Sequence, residues 1–417
     1  MTIIVVPTEL CNYKCRYCFE PESQRKGLDI PYSFEAISRS LHDVWRGPYG
    51  GSDVCLHGGE CTMVSLSELE KLMDLIYNLP YGDSGRPLGV VNIMTNASNI
   101  NLQMIQLFKK YNVYVGVSMD GPPESNLLRG PDPDNIKLTI QNNGVLMDKL
   151  KLLRDNNVPT SLICILHKMN SGDPQSVEKL LEWMHYLKSI GINGGRMNPM
   201  YSEKLKDLEL TTDELVYVWK MIYHFNKDQG TRWSPVTEFE TSIRGGKPSP
   251  CNFTGCDIFN TRTLSIHPSG SIGNCDRTFS HGMYERSMDG NKKCGRYEAL
   301  RQTQCKDCEY WNMCMGGCPE EGVDGDWRNK TRICEALKKT FKFIEDRIGI
   351  RYNQQTPIVT EVNNVPHGDN PHNDDAHGDS QHGDSQHGDS AHGDSTHGDI
   401  PHGDSTHGDN PDWRNRQ

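Results

Sequence analysis

The chain has 417 residues, 35% of them hydrophobic, and a formal net charge of −11. From Glu361 to Gln417 there are twelve acidic residues against Arg414 and Arg416, so the remaining body is nearly neutral and offers neither a nucleic-acid surface nor a polybasic membrane contact. No apolar run approaches the roughly eighteen residues of a membrane span, and MTIIVVPTELC lacks the pattern of a cleaved signal, so a soluble cytoplasmic protein is expected.

In chain order, β-rich runs occur at 2–7 (TIIVVP), 53–58, 89–95, 113–120, 160–166 and 194–199, with longer helical patterns between them. In SFEAISRSLHDVW (33–45), Phe34, Ile37, Leu41, Val44 and Trp45 fall on one face; SLSELEKLMDLIYNL (65–79) opens with a Ser three residues before a Glu, as in a capping box. Six strands each followed by a helix predict an α/β fold with a parallel sheet, open or curled into a partial barrel, over about 1–235. Such sheets carry their chemistry at the carboxyl ends of the strands. There the sequence places Cys11, Cys15 and Cys18, then HGGE (57–60), Thr95-Asn96 and Ser118-Met119-Asp120-Gly121. Residues 236–349 read as a second, Gly- and Cys-rich module dependent on bound metal, closed by a helix at 333–349. From 350 onward the chain is a linker and then nine pentapeptides of HGDS type (366–410), expected to be disordered because nothing in them builds a core.

Fifteen cysteines without a signal sequence favour metal ligation over a disulfide framework. Cys11, Cys15 and Cys18 form C-x3-C-x2-C. Three thiolates on a [4Fe-4S] cluster leave one iron open to a small molecule, whereas a zinc site would need a distant fourth ligand. The nonapeptide CNYKCRYCF (11–19), with aromatic Phe19 after the last thiol, and HGGE after the second strand resemble the radical S-adenosylmethionine superfamily. The resemblance implies a partial (β/α)6 barrel and a cluster that cleaves S-adenosylmethionine to a 5′-deoxyadenosyl radical. It also implies that Gly58, Gly59 and Glu60 receive the cofactor's amino group and that Ser118 and Asp120 reach its ribose side. Cys61 stands where the family has a proline.

The later cysteines run Cys256, Gly270, Cys275, then Cys305, Cys308, Cys314 and Cys318 as C-x2-C-x5-C-x3-C, then Cys334. This is similar to the SPASM arrangement, which implies two auxiliary [4Fe-4S] clusters, three clusters in all. By that resemblance Cys251, Cys256, Cys275 and Cys318 hold one, and Cys305, Cys308, Cys314 and Cys334 the other; a pair of zinc ribbons is the alternative. Cys55, Cys61, Cys164 and Cys294 are left over, and the two in strands read as small core residues. Asp276 resembles the general base of anaerobic sulfatase-maturating enzymes, although an Asp there also suits a turn.

The resemblance implies an oxidoreductase that modifies a peptide or protein, using a low-potential donor such as a flavodoxin or ferredoxin. The HGDS units, tethered to the enzyme, are candidate substrates; an inert tail, or a weak metal site of His and Asp, are the alternatives. Two other functions stay open: formylglycine formation from Ser or Cys on a partner sulfatase, and a cluster protein whose tail binds metal or protein.

Overall fold

The computed structural model describes residues 2–19, 32–47, 49–80, 87–246, 263–273, 275, 277 and 296–352. Residues 1–360 form one compact unit; the second, 361–417, lies outside the described residues, as does the HGDS array.

The six expected strands are present as β1 (Thr2–Thr8), β2 (Asp53–Gly58), β3 (Val91–Thr95), β4 (Tyr114–Ser118), β5 (Thr160–Leu166) and β6 (Gly194–Pro199). Three more extend the sheet: β7 (Arg232–Ser234), β8 (Thr263–Ile266) and β9 (Ile272–Gly273). The order is β7-β6-β5-β4-β3-β2-β1-β8-β9, with every neighbouring pair parallel except the β8–β9 hairpin. The sheet therefore continues past residue 235, because Thr263–Ile266 pairs with Thr2–Val5.

Helices α1 (Phe34–Arg46), α2 (Leu66–Tyr77), α3 (Leu102–Lys110), α4 (Ile136–Asp155), α5 (Pro174–Ser189), α6 (Thr212–Gln229) and α7 (Val236–Ile243) follow the strands, and α8 (Arg296–Gln302) and α9 (Cys334–Ile348) belong to the later region. Most starts are capped by a polar side chain that takes an orphan N–H: Ser33 for α1, Ser65 for α2, Asn101 for α3, Asn135 for α4 and Asp173 for α5. Thr211 and Glu214 make a reciprocal capping box on α6.

Alternation along the strands separates two faces. Val54, Leu56, Val91, Ile93, Val115, Val117, Leu162, Cys164 and Met197 are buried in the core. Their neighbours Cys55, His57, Asn92, Met94, Ser118, Ile163, Ile165, Arg196 and Asn198 are only half-buried, on the inner face of the partial barrel. Of the two leftover strand cysteines, Cys164 is a core residue and Cys55 lies on that inner face.

Gly270, the glycine of the SPASM-like pattern, has φ +81°, and a Cβ there would stand 2.8 Å from the Ala36 carbonyl oxygen. It lets the β8–β9 turn press on α1, where Ser40 Oγ donates to its carbonyl at 2.6 Å. At the other end, Phe341 of α9 is fully buried, its ring 4.9 Å from Phe239 of α7 and 5.2 Å from Tyr310. Phe341→Ala is expected to cost about 3–5 kcal/mol of stability in chemical denaturation; a loss under 1 kcal/mol would mean that α9 does not anchor the cysteine-rich region to the barrel.

Candidate functional site

The thiol loop starts three residues past β1 and is held on two sides. On one, Gly59 N–H donates to the Thr8 carbonyl (3.1 Å) and Glu60 N–H to the Leu10 carbonyl (2.7 Å), prolonging the β1–β2 pairing. On the other, Lys14 N–H donates to the Gly130 carbonyl (2.8 Å) and Arg16 N–H to the Leu128 carbonyl (2.9 Å). Between these supports Cys11, Cys15 and Cys18 are all half-buried. Cys18 N–H turns onto the Cys15 carbonyl at 3.2 Å, and Tyr13 N–H points at Cys11 Sγ at 3.4 Å. Burial pushes the Cys11 thiol up to about 11, so metal ligation there displaces a proton at neutral pH.

The contact with HGGE admits no side chain. Gly58 has φ +118°, and a Cβ at Gly59 would overlap the carbonyl oxygens of both Glu9 and Leu10. Glu60, 1% exposed, fastens this ledge to β3: its Oε1 accepts from Thr62 N–H (3.2 Å), Thr62 Oγ1 (2.6 Å) and Thr95 Oγ1 (2.6 Å), and its Oε2 from Asn96 N–H (2.6 Å). Four donors thus already engage the carboxylate that the resemblance assigns to the cofactor. Cys61, buried, fills the proline position and donates from Sγ to the His57 carbonyl at 3.0 Å.

Asp120 is also internal. Its carboxylate accepts from the Tyr17 hydroxyl and from Ile165 N–H (2.9 Å), and its carbonyl accepts from Asn170 Nδ2 at 2.7 Å. It joins the thiol loop to β5, while Ser118, half-buried, ends β4 opposite Ile163. Phe19 is 42% exposed at the end of the loop.

Two groups here carry no motif in the sequence. Arg129 donates from Nη1 to Tyr17 Oη at 2.8 Å. His167, fully buried just past β5 with neither ring nitrogen partnered, is held below its usual range by burial; its ring lies 6.5 Å from that of Tyr17. His57 opens the HGGE run, whereas Arg196 and Asn198 lay in the sixth predicted strand without a motif of their own.

In the later region Cys305, Cys308, Cys314 and Cys334 line one cavity with Tyr310, Trp311 and Phe341. Burial raises the Cys314 thiol to about 12, with the other three thiols adding to the effect. Arg296, 2% exposed, shapes this region by donating to the carbonyls of Trp327 (2.7 Å), Gly316 (3.1 Å) and Asn329 (2.9 Å). Cys318 belongs to a different neighbourhood: burial raises it, Arg277 opposes that rise, and Cys275 adds to it. Arg277 pairs with Glu321 at 3.1 Å, and burial lifts the adjacent Glu320 to about 7. Cys251, Cys256, Cys294 and Asp276 lie outside the described residues.

The model of the Radical SAM superfamily matches residues 5–215, about half of the chain. The chain belongs to the radical SAM superfamily. It is 22% identical over 371 residues to the cysteine-type anaerobic sulfatase-maturating enzyme of Clostridium novyi (strain NT), covering 80% of this chain and 91% of that protein. Among solved structures it is similar to native anSMEcpe with bound AdoMet and Cp18Cys peptide (TM-score 0.61, 20% identity, 83% of this chain and 97% of that one). It is also similar to Streptococcus suis SuiB bound to precursor peptide SuiA (TM-score 0.52, 16% identity, 80% and 75%). At these identities the structures bear out the α/β radical SAM fold. As a radical SAM enzyme the chain uses S-adenosylmethionine and a [4Fe-4S] cluster. Its residues fit both, with three half-buried thiols on one loop whose approach is packed directly against the Gly58–Gly59 backbone. Among the described residues no helix is long and apolar enough to cross a membrane.

Replacing Cys11, Cys15 and Cys18 together by Ala is expected to remove about four irons per chain from the reconstituted enzyme; unchanged iron content would take the cluster away from this loop. Gly59→Ala, whose Cβ would strike the Glu9 and Leu10 carbonyls, is expected to displace the start of the thiol loop and weaken S-adenosylmethionine binding at least tenfold, about 1.4 kcal/mol. Equilibrium dialysis showing wild-type affinity would separate the ledge from the cofactor.

Proposed function

We propose that this radical SAM enzyme is a peptide maturase whose substrate is a peptide or protein segment, with its own HGDS units as the first candidate. The observation that carries the assignment of the site is the thiol loop lying hydrogen-bonded along the Gly58–Gly59 ledge. Cys11, Cys15 and Cys18 hold the cluster, while Phe19, Gly58, Gly59, Glu60, Ser118 and Asp120 shape the place of S-adenosylmethionine. The bound cluster and cofactor supply one-electron cleavage to a 5′-deoxyadenosyl radical, which takes a hydrogen atom from the substrate.

The chain's own groups prepare that chemistry. Glu60 and Asp120, saturated within the protein, act as struts that hold the ledge and the loop in place. His57, Arg196 and Asn198 give the half-covered inner face polar groups for a peptide.

Two auxiliary [4Fe-4S] clusters complete the proposal. The shared cavity of Cys305, Cys308, Cys314 and Cys334 supports one, and the common neighbourhood of Cys275 and Cys318 supports the other, with Cys251 and Cys256 as its remaining ligands. Their fully thiolate ligation would suit taking an electron from the substrate radical, with Asp276 as the base that removes the accompanying proton, while a flavodoxin- or ferredoxin-type protein is the low-potential donor. The peptides bound in the anSMEcpe and SuiB structures support the substrate class. The likeness to the C. novyi enzyme, across most of both chains, favours a second reading: formylglycine formation on a partner sulfatase.

Anaerobically reconstituted enzyme given S-adenosylmethionine and dithionite is expected to yield 5′-deoxyadenosine, together with a mass change of a few hydrogens or a deoxyadenosyl adduct within 366–410. The matching truncation ends after Tyr352, which keeps the Tyr352 N–H donating to Glu345 Oε1 at 2.7 Å. It is expected to form 5′-deoxyadenosine but no product. An unchanged tail alongside conversion of a Ser- or Cys-containing sulfatase peptide would select the second reading; loss of metal affinity alone on truncation would make the tail a metal site.

A further inference from the structure

We infer that Arg129 sets the reduction potential of the radical SAM cluster by standing as a half-buried cation, its Nε buried, opposite Cys15. The inference rests on Cys11, Cys15 and Cys18 being the cluster's ligands. The placement follows from backbone register. Lys14 N–H binds the Gly130 carbonyl at 2.8 Å and Arg16 N–H binds the Leu128 carbonyl at 2.9 Å, so the two segments run antiparallel and Cys15 falls opposite Arg129. In an antiparallel pair the residues between two such bonded positions face each other at the shorter spacing, with their side chains on one side.

The guanidinium is held in place and only partly used. Nη1 donates to the Tyr17 hydroxyl at 2.8 Å, and that hydroxyl in turn donates to Asp120, an arrangement that fixes the direction of the fork. Nε is buried without a hydrogen-bond partner. A buried N–H left unmade is costly, so its presence beside a thiol loop points to an acceptor that belongs there, a thiolate or sulfide sulfur of the cluster. The charged and titratable groups felt by this cation are Cys15, Tyr17 and Asp120, and it acts in turn on Cys11 and Tyr13. Asp120 is the one carboxylate among them; its charge offsets part of the arginine's field, and the guanidinium interacts more strongly with Cys15 than with it.

Reduction adds one electron, and so one negative charge, to the cluster. A neighbouring cation, and an N–H that a cluster sulfur would engage, favour the more negative form, and the effect is strong where water is excluded. Arg129 therefore raises the potential and makes the cluster easier for its donor to reduce. Arg129 is a positioning residue in this sense: it acts through the cluster and its loop and need not touch the substrate.

The test is an EPR-monitored redox titration of the reconstituted full chain, following the [4Fe-4S] signal that changes on adding S-adenosylmethionine, for wild type, Arg129→Gln and Arg129→Lys, with iron and sulfide measured in each. Arg129→Gln is expected to lower the reduced-to-oxidised ratio at a fixed potential at least tenfold, 59 mV for one electron. Arg129→Lys, which keeps the charge, is expected to stay within about threefold of wild type. A wild-type midpoint in Arg129→Gln overturns the inference, as does a change in S-adenosylmethionine affinity with no change in midpoint. If neither variant retains iron at this site, the arginine is a brace for the loop and the inference is lost. A wild-type chain lacking an S-adenosylmethionine-responsive cluster would instead refute the ligand assignment beneath it.

Discussion

Everything at the carboxyl end of the sheet depends on how closely two backbone segments approach each other. The chain leaving β2 lies against the chain leaving β1 with Gly58 and Gly59 at the contact, and the carbonyl oxygens of Glu9 and Leu10 occupy the volume of any Cβ at Gly59. That contact continues the parallel pairing beyond the strands proper and delivers Cys11 to a fixed place. Glu60 then ties the ledge to Thr95 and Asn96, and Asp120 ties Tyr17 to β5, so four strand ends converge on one loop. Buried carboxylates are costly unless their oxygens are engaged, and both meet that condition through hydrogen bonds within the protein.

The later cysteine-rich region is attached to the same framework rather than appended to it. The β8–β9 hairpin adds to β1, carries Cys275 just beyond its second strand, and presses Gly270 onto α1. Glu9, two residues ahead of the first thiol, meets His267 of the hairpin at 3.4 Å in a buried pair. At the far end α9 packs its Phe341 against Phe239 and Tyr310, while Arg332 binds Glu209 at 2.7 Å and stacks on Tyr201. A region with few core residues of its own takes its order from the barrel and from the ligands its thiols are set to bind.

Six strands and the face of α1 were legible because their signals are local. Ile37, Leu41, Val44 and Trp45 repeat at helical spacing and are the residues that α1 buries. β7 was missed because Arg232–Ser234 is too short to alternate, and β8 was read as part of a separate module because its partner, β1, is more than 250 residues away. The rim motifs were found through strand order alone, yet the engagement of Glu60 and Asp120 inside the protein was hidden, since both depend on donors from other strand ends.

By itself the sequence determined the spacing of the thiols, the place of the HGGE run after the second strand, and the alternation that separates a buried face from a half-covered one. These are properties of neighbours along the chain, governed by the periods of helix and strand and by the reach of a short loop. Only the tertiary structure decided that Cys305, Cys308, Cys314 and Cys334 share a cavity, that Cys318 sits with Cys275 near Arg277, and that Arg129 stands opposite Cys15. Those groupings join residues from three to more than a hundred positions apart, and the distant members are set by the packing of strand ends and loops against one another rather than by local spacing.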